Sequence, residues 1–231
     1  MATLLAAAAF FVLLHLVVSG TPLRDALVAR LGQNAYMGLF SLASIAGLVW
    51  LGLGFAQGRG EVWNTAFWPI TPATRHIQLG LMAIAFLLIV PGLTTPNPTS
   101  VKQEGALNKP NAVQGMLRIT RHPFLWGVAI WAGGHLMVNG DWASIVLFGS
   151  MLALAVFGTT SIDAKRRKAL GETYTAFTNQ TSNLPLAAIL TGKQKLKIGE
   201  IGLWRLALAV AIWAGLMIGH QHAFGVAALP G

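Results

Sequence analysis

Six apolar runs separated by short polar stretches set the pattern of this chain. Residues 2–20, A-T-L-L-A-A-A-A-F-F-V-L-L-H-L-V-V-S-G, come close to the ~20 residues that a helix needs to cross a bilayer. Small residues at Val18-Ser19-Gly20 would suit signal-peptide cleavage, but no positive segment precedes the run, so it reads as a retained first helix. Leu23, Leu27 and Leu31 recur at helical spacing beside Arg24 and Arg30, which predicts a short interfacial helix over 21–34. Further spans are predicted over about 35–57, 75–91, 123–139, 142–162 and 201–219. The stretch T-T-P-N-P-T-S that opens the long 94–121 loop cannot be helical. N-L-P-L-A-A-I-L-T-G is too short to span and is expected to re-enter the membrane or lie on it. The fold expected is an all-α integral membrane protein, about six transmembrane helices in one bundle with short interfacial helices, a single domain over 1–231 with no internal repeat.

Composition agrees with this reading. Of 231 residues, 55% are hydrophobic and 10% charged, with a mean hydropathy of +0.62, too apolar for a soluble surface. The absence of cysteine removes disulfides, thiolate metal sites and iron–sulfur clusters, leaving histidine and carboxylates as possible ligands. A net charge of +9 raises the question of nucleic acid, but the basic residues sit in short loops between apolar runs, where they orient a membrane protein. The first, third and fifth loops carry Arg24, Arg30, Lys102, Lys109, Arg118, Arg121, Lys165, Arg166, Arg167, Lys168, Lys193, Lys195 and Lys197, against little beyond Arg59 and Arg75 in the others. Both termini are therefore expected on the outer side of the membrane, opposite the cytoplasm.

The chemistry lies with the histidines. His15 falls inside the first run and His135 inside the fourth, and an ionisable group at membrane depth is a functional candidate. His122 precedes Pro123, which starts a helix and pushes its predecessor out of one, so Arg121-His122 is expected where the chain meets the membrane, facing an anionic headgroup, a propionate or a phosphate. His122 and His135 are thirteen residues apart, ~220° in azimuth and ~20 Å in height on one helix; they cannot ligate the same atom. Gly127, Gly133 and Gly134 bare the helix surface near His135 for another helix or a flat macrocycle. His76 could be a ligand, a propionate partner or an anchor, and His220 and His222 read as interfacial. No Ser-His-Asp grouping, intramembrane carboxylate pair or Gly-rich phosphate loop is present.

N-K-P-N-A-V-Q-G-M-L-R-I-T-R-H-P followed by W-G-V-A-I-W-A-G-G-H-L-M-V-N-G-D resembles the NnrU family of bacterial membrane proteins, which is similar to plant and cyanobacterial 15-cis-zeta-carotene isomerase. H-L-V-V-S-G-T-P-L-R-D near the start and G-E-T-Y-T-A-F-T-N-Q-T-S-N-L-P-L-A-A-I-L extend the resemblance over nearly the whole chain. The resemblance implies haem b held by His15 and His135 as metal ligands, with Arg121 and His122 as propionate or anionic-group partners and His76 in reserve. It also implies a part in denitrification, in producing nitrite and nitric oxide reductases, and a polyene or nitric oxide as ligand. Where the isomerase has a cysteine, three residues before the second histidine, this chain has Ala132, so a ligand switch of that kind is absent. With the N-terminus outside, His15 and His135 are expected about 10 Å apart in depth, an offset that would make His76 the better partner if it persists. The order R-H-P, helices, charged stretch also resembles isoprenylcysteine carboxyl methyltransferases. Leu125 replaces their tyrosine, however, and Asp163-Ala164-Lys165-Arg166 replaces the acidic pair that would hold S-adenosylmethionine.

Overall fold

The computed structural model describes residues 1–229, and its regular elements are helices. The elements are α1 (Ala2–Leu13), continued by a π-helical turn (Leu14–Val18), α2 (Leu23–Leu31), α3 (Gln33–Gly58), α4 (Pro72–Thr94), α5 (Met116–Ile119), α6 (Pro123–Val138), α7 (Trp142–Gln180), α8 (Ala187–Leu190) and α9 (Leu203–Phe224). Among the described residues there is no strand, only an isolated bridge between Ala66 and Asp141.

Four helices, α3, α4, α7 and α9, are long and apolar enough to cross a membrane; a fifth span results if α1 and α2, bent by 81°, count as one. The six expected spans lose α6 from this group. Its 16 residues reach ~24 Å, short of the ~30 Å hydrocarbon core. The span expected to about 162 and the basic stretch after it, expected to be partly helical at the interface, form one helix, α7, which runs to Gln180 with a break at Gly171, where φ is +53°. Only a residue without Cβ adopts that conformation at little cost.

Contacts divide the chain into two compact units, 1–71 with 135–154 and 72–134 with 155–231. In the first, α1 and α3 pack antiparallel: a Cβ on Gly54 would lie 3.1 Å from Leu4 Cα, and one on Gly47 would lie 2.9 Å from the Phe10 ring. Leu4, Ala7 and Ala8 form one helical stripe, and it closes on Leu51 and Ala143 with Phe55, Val146, Leu147 and Met151 around them. Asp141 caps α7, its carboxylate accepting from the backbone N–H and hydroxyl of Ser144, a good N-cap pattern.

In the second unit, Leu88, Met116 and Ile201 form one core with Trp126, Ile130 and Leu206, and Leu117, Tyr174 and Phe177 form another. The N-L-P-L-A-A-I-L segment neither spans nor re-enters as a helix. It folds back as the four-residue α8, with Leu186 N–H donating to the Ile119 carbonyl. The α4–α6 contact is close. A Cβ on Gly127 would meet Ile89 Cγ1 at 2.6 Å and the Ala85 carbonyl oxygen at 2.8 Å, and one on Gly134 would meet Met82 Cε at 2.6 Å. Two of the three glycines that bare α6 are thus filled by a neighbouring helix; a Cβ on Gly133 would meet nothing within 4 Å.

Gly127→Ala is expected to destabilise the detergent-solubilised protein by about 1–3 kcal/mol through overpacking against helix backbone. Gly133→Ala should be near neutral. Paired SDS-unfolding titrations would separate the two.

Candidate functional site

The T-R-H-P sequence places its side chains by a local backbone argument. Pro123 bars His122 from the α conformation and supplies the first residue of α6, while Thr120, extended at φ −158° and ψ 148°, ends α5. Between two helix ends, Arg121 is free to join the chain on either side. Its N–H donates to the Ser182 carbonyl at 3.0 Å, and its own carbonyl accepts from Asn97 Nδ2 at 3.1 Å and Thr99 Oγ1 at 3.0 Å.

The side chains converge on Asp163, in α7. Arg121 Nε donates to both carboxylate oxygens at 3.0 and 2.9 Å, and Nη2 donates to Oδ2 at 2.6 Å. His122 Nε2 lies 2.7 Å from Oδ1, the Tyr174 hydroxyl donates to Oδ1 at 2.6 Å, and Asn183 Nδ2 reaches Oδ2 at 3.4 Å. Arg121 Nη1 finishes on the Thr181 carbonyl at 3.3 Å. Exposure is 9% for Arg121, 2% for His122, 7% for Asp163 and 0% for Tyr174. A fork-to-fork guanidinium–carboxylate pair is strong and directional, and here it is shielded from solvent. Arg121 and His122 were expected to face an anion at the membrane edge; the structure instead buries them, and the anion they meet is Asp163. With both oxygens taken by Arg121, His122, Tyr174 and Asn183, the carboxylate serves as a brace between the start of α6 and the middle of α7.

Asp163, Tyr174 and Asn183 were missed by sequence reasoning. A signal existed in Asp163, the one acidic residue at the end of a long apolar run, because a carboxylate at such a place requires a cation. Its neighbours Lys165, Arg166, Arg167 and Lys168 hid it in a basic cluster. The partner lies 42 residues earlier.

A second ion pair closes the same unit outside the spans. Arg118 Nε and Nη2 donate to Glu200 Oε2 and Oε1 at 2.7 and 3.0 Å, and Gly115 N–H adds a donor at 3.0 Å. The Arg118 hydrogen bonds, helped by the Gly115 N–H and Lys197, hold the Glu200 carboxyl down to about 2.

The histidines fall in separate surroundings. His15 lies in the π-turn, its Nδ1 2.8 Å from the Phe11 carbonyl oxygen, its ring centroid 4.4 Å from Phe11 and 5.2 Å from Phe40. His135, in the same compact unit, stacks on Phe148 at 4.7 Å with 24° between ring planes, and Phe148 packs against Phe55 at 5.8 Å. Phe40 and Phe55 are fifteen positions apart on α3, about 22 Å between their Cα atoms. An axial offset between the two histidines therefore persists, reduced or increased by the lean of each side chain. His76 belongs to the second unit, exposed in the first turn of α4 with Nδ1 2.7 Å from the Pro72 carbonyl oxygen. His220 Nδ1 lies 2.8 Å from the Val226 carbonyl oxygen. Among the described residues no group of three or more His, Asp or Glu is gathered for a metal ion.

The NnrU family model matches residues 3–228. The chain belongs to the NnrU family. Among curated proteins, this NnrU chain is similar to the chloroplastic 15-cis-zeta-carotene isomerase of Zea mays, 26% identical over 179 residues, covering 75% of this chain and 47% of that protein. It is likewise similar to the Arabidopsis thaliana enzyme of the same description, 30% identical over 104 residues, covering 44% of this chain and 28% of the other. The chain thus spans less than half the length of these relatives. No solved structure matches it. NnrU membership and the apolar helices together make this a multi-pass membrane protein.

Removing one partner of a buried ion pair strands the other, at about 3–5 kcal/mol, whereas replacing both with apolar groups is far milder. Asp163→Asn is therefore expected to destabilise the protein more than the double change Arg121→Met with Asp163→Leu, measured by SDS unfolding in mixed micelles. The Glu200 carboxyl titrates lower in the folded chain than its ordinary 4.5, so its contribution is present above that value and is lost as pH falls toward about 2. Thermal melts from pH 6 downward should show an acid-side loss that is smaller in Glu200→Gln.

Proposed function

We propose that this protein binds haem b within the bilayer, where His15 and His135 would hold it. The observation that carries the reading is the presentation of His15. Its Nδ1 faces the Phe11 carbonyl oxygen at 2.8 Å, a contact in which the ring N–H donates to the backbone and the neutral imidazole keeps its lone pair on Nε2. The π-turn beneath it is a backbone irregularity common at functional sites. His135 has its ring plane set by Phe148. The donor set suits haem: two imidazoles on apolar helices flanked by aromatic rings. The separation along α3, about 22 Å between the Cα atoms of Phe40 and Phe55, is more than side-chain rotation can close, so one haem held by both histidines requires α1 to shift along α3; without that shift His15 drops out as a ligand.

Bound haem supplies an iron that exchanges electrons or takes a diatomic ligand such as nitric oxide. The chain's own residues hold the imidazoles and exclude water, and the Asp163 brace keeps the start of α6 fixed. In this reading the protein serves denitrification from the bacterial inner membrane, in the production of nitrite and nitric oxide reductases, with its basic loops cytoplasmic and both termini periplasmic. A second reading, cis–trans isomerisation of a carotenoid, is supported by the named activity of the two plant relatives. Methyl transfer lacks support, because the oxygens of Asp163 are already engaged by Arg121, His122 and Tyr174 and cannot also hold a cationic cofactor.

Purified protein from haem-replete cells is expected to show a Soret band and a dithionite-reduced difference spectrum, both lost in His15→Ala and in His135→Ala. Absence of the band in the unaltered protein would overturn haem binding. A band surviving both substitutions would overturn the ligand pair and turn attention to His76. Incubation of haem-loaded protein with a 15-cis polyene, followed by chromatography of the isomers, separates the two readings: conversion to the trans form favours the isomerase.

A further inference from the structure

A cavity of about 400 Å³ opens where α4 ends, lined by Leu93, Thr95, Lys102, Gln103, Lys109 and their neighbours. Its charge is one-sided. Lys102 and Lys109 are both exposed there, and neither takes part in any ion pair described for the protein. The one acidic residue of the 94–121 loop, Glu104, is neutralised by Arg166, which also donates to the Ser100 carbonyl at 2.7 Å. A third cation stands close by: Arg205 Nη2 donates to the carbonyl of Thr94, also in the lining, at 3.3 Å.

One polar group of this cavity is unsatisfied. Thr95, only 7% exposed and in the lining, has a buried hydroxyl with no hydrogen-bond partner. A buried polar group without a partner costs free energy comparable to a lost hydrogen bond, so this one, beside two lysines, points to a ligand that accepts a hydrogen bond. Gln103 is held in position, its Oε1 accepting from Asn97 N–H at 2.8 Å. Lys102 itself sits at φ +59°. Leu93, 61% exposed at the end of a membrane-length helix, offers an apolar margin on the same side.

We propose that this cavity binds a phosphate group, carried by an anionic membrane lipid or free in solution, with Lys102 and Lys109 as counter-charges and Thr95 as hydrogen-bond donor. Lysine suits such a ligand as a mobile point charge that needs no fixed fork geometry. The cavity's position at the end of α4 sets it at headgroup level, where basic residues meet phosphate. The site is independent of haem and of the histidines.

The test titrates the full chain in dodecyl maltoside with dioctanoyl phosphatidic acid, read by calorimetry. Two lysines at roughly fivefold each predict that Lys102→Ala with Lys109→Ala weakens binding about 30-fold. Thr95→Val should weaken it about fivefold, the value of one hydrogen bond. The exposed pair Lys193 and Lys195, changed together to Ala, removes the same charge elsewhere and should weaken it less than about twofold. Lys102→Gln and Lys109→Gln, each about fivefold weaker, keep the proposal testable if the double variant fails to fold. Inorganic phosphate displacing the lipid identifies phosphate itself as the ligand; binding of phosphatidate that phosphate does not displace identifies a lipid headgroup. Equal losses from the two lysine pairs, or equal affinity for dioctanoyl phosphatidylcholine, would overturn the proposal. Haem content should be unchanged in every variant, so failure here leaves the haem reading untouched.

Discussion

A carboxylate buried near the end of an apolar helix cannot stand alone, and the organisation of the second unit follows from how Asp163 is satisfied. Four side chains from three separate stretches reach it: Arg121 and His122 before α6, Tyr174 later in α7, and Asn183 beyond it. Each brings its own backbone along. Arg121 carries the Asn97–Thr99 turn through its carbonyl and the 181–182 turn through its N–H and guanidinium. The 94–121 loop is tied to this convergence at Asn97 and Thr99, and to the rest of the unit through Glu104 and Ser100 with Arg166 and through Arg118 with Glu200. An ion pair of this kind adds less net stability than its short distances suggest, because both charges were well solvated before folding. Its value is in specifying one arrangement of chain segments against others.

The first unit is organised by a different means. Helices α1 and α3 meet through Leu4, Ala7, Ala8 and Leu51 and through glycines that let the backbones approach. In a bilayer, where lipid tails are as apolar as leucine, such close packing takes the place of the hydrophobic effect as the force between helices. The imidazoles of His15 and His135 are the polar exceptions in this apolar setting, and both are held by aromatic rings. Their difference from His122 is one of saturation. His122 is consumed by Asp163, whereas the tautomer at His15 directs a lone pair away from its backbone anchor. The histidines of this chain thus fall into two kinds, one bound to a carboxylate and one set among aromatic rings.

Long apolar periodicity, the proline after His122 and the asparagine, glycine and aspartate before Trp142 are local signals, and each acts within a few residues of itself. They determined the helical class, the membrane setting, the start of α6 and the turn before α7. Tertiary structure alone decided what those helices do to one another. That Gly127 and Gly134 receive α4, that α6 is too short to count among the spans, and that Arg121 meets Asp163 42 residues later all depend on the path of loops whose closure has no local signature. The basic stretch after residue 162 reads from sequence as partly helical at the interface; that it runs on from the span before it as one helix, with Arg166 paired to Glu104, was decided in three dimensions. Sequence by itself marked the residues capable of chemistry; tertiary structure decided which of them were already spent on each other, because saturation of a hydrogen-bonding group is a property of its neighbours in space.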